Sequence, residues 1–329
     1  NKNGLSDLLA LEGSSYDLNI NMFNHFQNTI TGWPGGKPGA DDSTRPERKS
    51  PNSKRVIIFS PHPDDDVVSM GGTFDRLVSQ GHEVHIAYQV KGNIAVSDHD
   101  ALKFIEVSKD MFKNDSKVPV SELIKELKNN KPDKIDSQAV RDLKGFIRKR
   151  EAIAATRYIG IPDSNTHFMN LPFYDTGRIK KNPPTKKDVL ITASLIKKIK
   201  PHQIFAAGDL EDPHGTHKVC LDVILDALDT LKGEKFIKDC WLWLYRGAWL
   251  DWDVHDIDMA VPMSPAQVLR KRKAIFFHQT QKDGVMFQGQ DLREFWVRAE
   301  ERNSETAEKY KKMGLADYAA IESFKRHYY

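Results

Sequence analysis

Cysteine is scarce in this sequence. Only Cys220 and Cys240 occur among 329 residues, one in an apolar helix-like run and the other in an apolar strand-like run. Cysteines in such runs are typically buried and reduced, so these two predict no disulfide framework. Neither is spaced for a structural zinc site. The sequence therefore gives no sign of an oxidising compartment, and we expect a cytoplasmic protein.

Long apolar runs and an excess of one charge are also missing. No run approaches the roughly 18–20 apolar residues of a membrane span, and no charged-then-apolar signal peptide opens the chain. The net charge of +3, from 49 basic and 46 acidic residues, predicts no nucleic-acid partner. We interpret the basic stretches at 197–198 and 270–273 as solvated helix faces. Because the chain does not begin with Met, we expect a processed protein or a piece of a longer one.

The composition of the sequence changes near residue 54. Residues 32–50 are rich in Gly, Pro and charge, so we interpret 1–53 as an N-terminal extension or linker and 54–329 as the main domain. Within that domain the polar, lysine-rich stretch 98–150 is interpreted as a mostly helical excursion near the mouth of the site. An oligomer is compatible with this organisation.

Apolar runs and helix-like segments alternate from residue 55 onward. Strands are predicted at 56–60, 82–90, 203–207 and 241–245. Helices are predicted at 70–79, beginning at the Gly71–Gly72 pair, at 189–200, at 217–231 and after Pro265. Strand, helix and strand within about 35 residues form a βαβ unit with parallel pairing. We therefore predict a three-layer α/β/α, Rossmann-like domain with a mainly parallel sheet.

An unusual polar run, "HPDDD", follows the first predicted strand. His62 and Asp65 are three residues apart in a loop stiffened by two prolines, so both can point at one centre, while Asp64 points elsewhere. Three consecutive carboxylates repel one another unless a cation offsets them, which favours a metal site. The plainer alternative is an acidic loop in which His62 only caps the sheet.

A second cluster, "DPHGTH", follows another predicted strand. His214 and His217 lie within one helical turn of each other. With His62 and Asp65, His217 would complete a His₂Asp set with an open fourth position, which is typical of catalytic zinc and its activated water. Asp64 is then placed to act as general base, and His214 to stabilise the oxyanion or protonate the leaving amine.

These segments resemble the LmbE-like (PIG-L) family of zinc-dependent N-acetylglucosamine deacetylases. The resemblance covers roughly residues 54–282 and rests on four ordered matches: "SPHPDDDVVSMGGT", "IRKREAIAATRYIGIPDSNTHFMNLP", "DPHGTH" and "KRKAIFFHQTQ". It implies one zinc ion on His62, Asp65 and His217 and an amino-sugar substrate. It also implies that Asp64 is the general base and that His214 is the charged partner of the oxyanion or leaving group. It further implies that Arg148 contacts the sugar and that Gly92 lies beside the site; a surface role for Arg148 stays open.

The sequence departs from the family's pattern at two positions. Asp66 replaces the usual glutamate, so its shorter arm could reposition a basic partner. Thr216 replaces an aspartate of the family. The acidic neighbour that would support His217 or His214 must therefore be another residue, and Asp212 is a candidate. His278 matches a late histidine of the family, either functional or simply packed and hydrogen-bonded.

The chain also resembles the C-terminal half of bacterial proteins in which an LmbE-like module follows a glucosamine-6-phosphate deaminase-like module. The resemblance implies such a module as an N-terminal partner.

Two other functions stay open. Clustered aspartates also suit a Mg²⁺-dependent phosphoesterase, although imidazole ligands speak against magnesium. A catalytically silent sugar-binding module is the non-enzymatic alternative, for which Trp249 and Trp252 are candidate stacking residues, whereas 241–245 is interpreted as a buried strand.

Overall fold

The protein forms an α/β domain in which a mixed sheet is covered by helices on both faces. The computed structural model describes residues 4–39, 53–111, 120–130, 135–178, 180–212, 215–247, 249–282 and 291–329. The helices are α1 (Leu5–Glu12), α2 (Ser15–Thr29), α3 (Asp65–Ser79), α4 (Asp98–Met111), α5 (Val120–Lys128), α6 (Gln138–Ile159), α7 (Lys186–Ile199), α8 (Thr216–Thr230), α9 (Pro265–Ile275) and α10 (Phe295–Lys312). The strands are β1 (Arg55–Ser60), β2 (Glu83–Tyr88), β3 (Thr166–Phe168), β4 (Gln203–Ala207), β5 (Trp241–Tyr245), β6 (Met259–Met263) and β7 (Ala320–His327).

The sheet has seven strands among the described residues, in the order β3-β2-β1-β4-β5-β7-β6. The first five of that order run parallel, and β7 pairs antiparallel with both β5 and β6. The chain moves outward from β1 to β2 and β3, and later from β4 to β5. The order therefore reverses between β1 and β4, and ligands of parallel α/β sheets bind at such a reversal. This confirms the predicted α/β/α class with a mainly parallel sheet.

Two apolar clusters pack against opposite faces of the sheet. Alternate residues of the central strands point to each cluster, with Ile58 on one face and Ile57 on the other. Helices α3 and α9 cover the first face, whereas α7 and α8 cover the second. Because β1 is buried on both faces, it reads as a continuous apolar run instead of an alternating one.

Helix α3 begins earlier than its sequence suggests and is kinked. It begins at Asp65, directly after the HPDDD loop, and its backbone leaves helical geometry at Met70. The backbone amides of Gly72 and Thr73 donate to the buried Glu322 carboxylate (2.9 and 2.6 Å). The predicted start at Gly71–Gly72 therefore coincides with the second half of a kinked helix, which a carboxylate from β7 caps.

The basic stretch at 270–273 is only partly solvated, because Lys271 is 2% exposed. Its ammonium donates to Glu322 and to Asn303, both at 2.8 Å. The interpretation of this whole stretch as a solvated face was therefore wrong. The charged Lys271 side chain can be buried because other elements of the fold supply its hydrogen-bond partners.

The N-terminal residues contact the domain. Thr29 shares a hydrogen bond of 2.8 Å with Tyr310, and Ile30 forms a bridge with Ala260 of β6. Farther along, the Pro34 carbonyl accepts from the Gln203 side chain at 3.2 Å. The stretch 98–150 contains α4, α5 and most of α6. Within the described residues, no helix combines the length and apolar character that crossing a membrane requires.

Candidate metal centre and active site

Three predicted ligands meet beyond the carboxyl ends of β1 and β4. His62 and Asp65 come from the loop after β1 and the first residue of α3, while His217 is the second residue of α8. Each offers one ligand atom, and these atoms lie within 4.8 Å of one another. Asp65 Oδ2 lies 3.1 Å from His62 Nδ1 and 3.2 Å from His217 Nε2. One carboxylate and two imidazoles therefore lie together, because His62 and Asp65 are close in the HPDDD loop and His217 lies in the first turn of α8.

The donor set of this cluster suits a metal ion, and two of its three donor separations match a tetrahedral arrangement. Zinc bonds of about 2.0–2.1 Å at tetrahedral angles separate neighbouring ligand atoms by roughly 3.3 Å, close to the two distances above. Two imidazoles and one carboxylate leave a fourth position for water or substrate, as in catalytic sites. The cavity beside the cluster is lined by residues from several loops: His62, Asp64, Asp65, Val68, Ile94, Ala95, Arg148, Tyr174, Asp212, His217, Trp249, Gln281 and Phe295.

The protonation of the cluster reflects the pairing of its charges. Burial acts to raise the pKa of Asp65, but the imidazoles, His217 foremost, outweigh it and hold the pKa well below its usual value. Burial likewise acts to lower the pKa of His217, and Asp65 outweighs it and raises the pKa to about 10. A divalent cation would take the place of the His217 proton, because ligation needs the neutral imidazole.

A backbone carbonyl orients the His217 ring. His217 Nδ1 donates to the Asp209 carbonyl oxygen at 2.7 Å, which leaves Nε2 toward the cluster. A hydrogen bond of this kind fixes the tautomer and direction of a metal ligand. The Asp212 carboxylate accepts instead from the backbone amides of Thr216 (2.8 Å) and His217 (3.1 Å) and caps the start of α8. Asp212 therefore supports His217 through its backbone amide and through its charge, which helps to raise the pKa of His217.

Asp64 lies beside the cluster and faces Arg148. Asp64 Oδ1 is 2.9 Å from Arg148 Nη2, and Arg148 is 1% exposed. Burial raises the pKa of Asp64, and Arg148 opposes that rise. The ion pair is close but imperfectly directed, since neither Nη2 nor Nε of Arg148 makes a hydrogen bond of normal geometry within the described chain. Arg148 is thus a buried side chain beside Asp64 in the lining of the cavity, which contradicts the surface alternative.

Gly92 allows Arg148 to lie close to the backbone. Its φ is +64°, a conformation that side chains disfavour. A Cβ atom here would lie 3.3 Å from Arg148 Cζ and 3.0 Å from Pro63 Cδ. Gly92 therefore borders the site through its lack of a side chain.

The segment around His278 contacts the residues beside Arg148 and Gly92. Glu151, one turn after Arg148 on α6, accepts from the amide and the hydroxyl of Thr280, both at 2.8 Å. Gln281 donates to the Ala95 carbonyl at 3.0 Å, near Gly92. His278 is completely buried, and neither ring nitrogen has a hydrogen-bond partner among the described residues. Burial lowers its pKa to about 3, so its ring is neutral.

Asp66 points away from the metal cluster. Its carboxylate accepts from the Tyr88 hydroxyl at 3.0 Å and lies 3.3 Å from Ser60 Oγ, whereas the sequence suggested a basic partner. Burial raises the pKa of Asp66 to about 7, with the Tyr88 hydrogen bond opposing. The shorter side chain at this position therefore fits a pair of hydroxyls.

The sequence did not indicate several residues that line the cavity or support the residues around it. Tyr174 lies two residues beyond the matched "NLP" segment, and its ring is 6.2 Å from that of His62. Asp209 follows β4 at a strand end, a position that the rule for parallel sheets could have singled out. No local sequence pattern indicated Phe295.

The structure separates the two tryptophans that were candidates for stacking on a sugar. Trp249 lines the cavity, whereas Trp252 is buried under Arg246. His214 lies outside the described residues, so its predicted role stays a prediction.

Comparisons with known proteins agree with this fold. A family profile described as PIG-L, GlcNAc-PI de-N-acetylase, matches residues 57–228. The chain is 53% identical, over 98% of its length, to a glucosamine-6-phosphate deaminase-like protein of Bacteroides thetaiotaomicron, and it spans half the length of that relative.

Solved structures share the fold at low identity. The chain resembles the N,N'-diacetylchitobiose deacetylase of Pyrococcus horikoshii with a TM-score of 0.51 at 18% identity, covering 84% of each chain. It also resembles GalB, the 4-carboxy-2-hydroxymuconate hydratase of Pseudomonas putida, with a TM-score of 0.50 at 14% identity, covering 84% of this chain and 97% of that one. Since these two proteins carry different activities, the shared fold alone does not decide the reaction.

Proposed function

Because the chain belongs to the PIG-L family, we propose that it is a zinc-dependent N-deacetylase acting on an amino sugar of the N-acetylglucosamine type. The observation that carries the proposal is the convergence of His62, Asp65 and His217 beside Asp64 in one cavity. Two imidazoles and a carboxylate favour zinc over magnesium. When bound, zinc supplies a Lewis acid and lowers the pKa of water toward neutrality.

Asp64 is the proposed general base. It follows His62 by two residues and precedes Asp65, so the loop that presents the ligands also fixes its position at the cavity. In the reaction Asp64 takes a proton from the attacking water, the amide C–N bond breaks, and a proton passes to the leaving nitrogen. The products are acetate and a free amine. The predicted role of His214 is to stabilise the oxyanion or supply that proton.

Arg148 is the proposed substrate-orienting residue. Its guanidinium lies against Asp64 and has donors without well-formed hydrogen bonds, so it can hold Asp64 and donate to a hydroxyl or acyl oxygen of the sugar. Gly92 permits this position, and Glu151 with Thr280 fixes the helix that carries the arginine.

An amino-sugar substrate is supported by the relative of twice the length. That relative is named deaminase-like, and deacetylation of an N-acetylated amino sugar produces the free amine on which a deaminase acts. We propose that this chain forms the deacetylase half of such a fusion and that a deaminase-like module is its covalent partner.

The experiment that tests the proposal is acetate release from metal-free protein reconstituted with zinc. The substrates are N-acetylglucosamine free, 6-phosphorylated and as a glycoside. We expect zinc-dependent release from at least one of them, and a fall of about a hundredfold or more in Asp64→Asn, with one zinc still bound.

Two outcomes would contradict the proposed reaction, and a third would contradict only the role of Asp64. Zinc-loaded protein that releases no acetate from any acetylated amino sugar would favour a silent sugar-binding module. Activity on phosphate esters that requires Mg²⁺ would favour a phosphoesterase. Full activity in Asp64→Asn would remove Asp64 as the base while leaving the reaction class in place.

A further inference from the structure

We propose that Trp249, together with Phe295, forms the surface against which the ring of the amino sugar binds. This proposal rests on the proposed function and specifies the substrate-binding part of the same site. Both aromatic residues line the cavity that contains His62, Asp65 and His217, and both are half-buried. Their rings meet edge to face, with centroids 5.4 Å apart at 87°, so they form one continuous apolar wall.

The position of Trp249 is tied to that of the metal cluster. The Asp209 carboxylate accepts from the backbone amides of Trp249 (2.6 Å) and Leu250 (3.1 Å). The carbonyl of the same Asp209 accepts from His217 Nδ1. Asp209 is 1% exposed, so one buried residue holds both the metal ligand and the loop that presents the tryptophan. Such a connection fixes the distance from the aromatic wall to the reacting group.

A buried arginine supports the wall. The Arg298 guanidinium carbon lies 4.8 Å from the Phe295 ring centroid and 5.5 Å from that of Trp249. Arg298 is 0% exposed, so it contacts the rings from a buried position. Cation–π contacts of this kind stabilise the orientation of both rings.

The chemistry of the cavity matches a sugar. A pyranose has an apolar face of C–H groups and a rim of hydroxyls, so it needs an aromatic surface and a few directed polar groups. Trp249 and Phe295 supply the surface, and Arg148 and Gln281 supply polar groups in the same cavity. A small open-chain acyl substrate without a ring would have no equivalent need for the aromatic wall.

Trp296 provides a matched control. It is also half-buried and adjoins Phe295 in the chain, but its ring packs against Phe276 (5.6 Å) and Arg272 (4.8 Å). It is absent from the cavity lining described above. A general effect of losing an indole from this part of the protein should therefore appear equally in Trp296→Leu.

The test compares Trp249→Leu, Trp249→Phe and Trp296→Leu in the zinc-loaded protein. We expect Trp249→Leu to raise KM for the acetylated sugar about tenfold with a small change in kcat, Trp249→Phe to have a weaker effect, and Trp296→Leu to have none. An independent readout is the intrinsic fluorescence on titration with N-acetylglucosamine in the Asp64→Asn background. The saturable change seen there should disappear in Asp64→Asn with Trp249→Phe and persist in Asp64→Asn with Trp296→Leu.

The two proposals fail in different ways. A sugar-induced fluorescence change that depends on Trp249, without acetate release from any substrate, would reject deacetylation and support the aromatic wall. A KM in Trp249→Leu equal to that of the original protein, a fluorescence change independent of Trp249, or no saturable change with any of the three sugars would overturn the wall.

Discussion

At the scale of single residues, the site depends on Gly92 having no side chain. Gly92 combines a left-handed backbone with close approach to Arg148. An alanine there would cost about 1–2 kcal/mol for the backbone alone and would push the guanidinium that faces Asp64. Because small displacements of a positioned group can reduce rate by up to about a hundredfold, position 92 should influence catalysis without touching the metal.

We predict that Gly92→Ala lowers kcat/KM for the acetylated sugar about tenfold to a hundredfold, with one zinc retained. The matched control is Gly81→Ala, since Gly81 has φ +80° and a Cβ atom there would meet no other atom within 4 Å. Gly81→Ala should show a similar backbone cost in urea unfolding but unchanged kinetics. Equal kinetics in both variants would contradict a role of Gly92 in positioning Arg148.

The convergence of His62, Asp65 and His217 could be predicted because their spacing is local. His62 and Asp65 are fixed by one tight loop, and His217 by the start of the helix after another strand, so strand ends alone indicate that they converge. Trp249 and Phe295 could not be placed in the same way. Phe295 reaches the cavity from α10, and its contact with Trp249 joins residues far apart in the chain, which no local pattern encodes.

At the scale of elements, the kinked α3 depends on a buried ion pair. Lys271 of α9 and Glu322 of β7 are each 1% exposed at the side chain and lie 2.8 Å apart, while Glu322 also caps the second half of α3. Removing one partner of such a pair leaves an uncompensated charge in the interior. The helix whose first residue is Asp65 is therefore held at its kink by a strand from the far end of the chain.

We predict that Glu322→Gln lowers the free energy of unfolding by about 3–5 kcal/mol. Lys271→Met combined with Glu322→Gln should cost less than the sum of the single changes, because the two residues are directly coupled. Asp256→Asn is the control, since it breaks a half-exposed pair with Lys325 of β7 (2.6 Å) and should cost less than about 1 kcal/mol. Urea unfolding measures all four variants, and strict additivity of Lys271→Met and Glu322→Gln would refute the coupling.

The element pattern is predictable where strands and helices alternate. The predicted strands at 203–207 and 241–245 have the observed bounds, because buried parallel strands are continuous apolar runs. The insertion of β7 between β5 and β6 does not follow from the sequence pattern, since antiparallel pairing of the last strand brings together residues far apart in sequence. The kink in α3 is unpredictable for the same reason, because Glu322 supplies its cap.

At the scale of the whole molecule, the N-terminal residues are fastened to the amino ends of the parallel strands, opposite the metal cluster. Gly35 lies so close to the His82 ring that a Cβ atom there would be 2.1 Å from Nε2. The Lys54 amide donates to His82 Nδ1 at 3.1 Å. A buried, neutral His82 therefore links the extension, the start of β1 and the turn before β2.

This arrangement makes the stability of the protein depend on pH. Burial lowers the pKa of His82 to about 4, and the nearby Lys54 charge adds to the effect. In the unfolded chain the imidazole binds a proton below about pH 6.5, whereas in the folded protein it stays neutral until about pH 4. Below pH 6.5 the unfolded state thus binds more protons. The contribution of His82 is complete above pH 6.5 and is lost as the pH falls through 4.

We predict that His82→Gln makes the free energy of unfolding less dependent on pH between about 6.5 and 4, because glutamine keeps an acceptor for the Lys54 amide but does not titrate. Urea unfolding at several pH values measures the difference between the two proteins, which should shrink or change sign as the pH falls. His255→Gln is the control, since that side chain is 74% exposed, and its curve should follow the original protein. Parallel curves for His82→Gln and the original protein would show that His82 does not couple docking of the extension to pH.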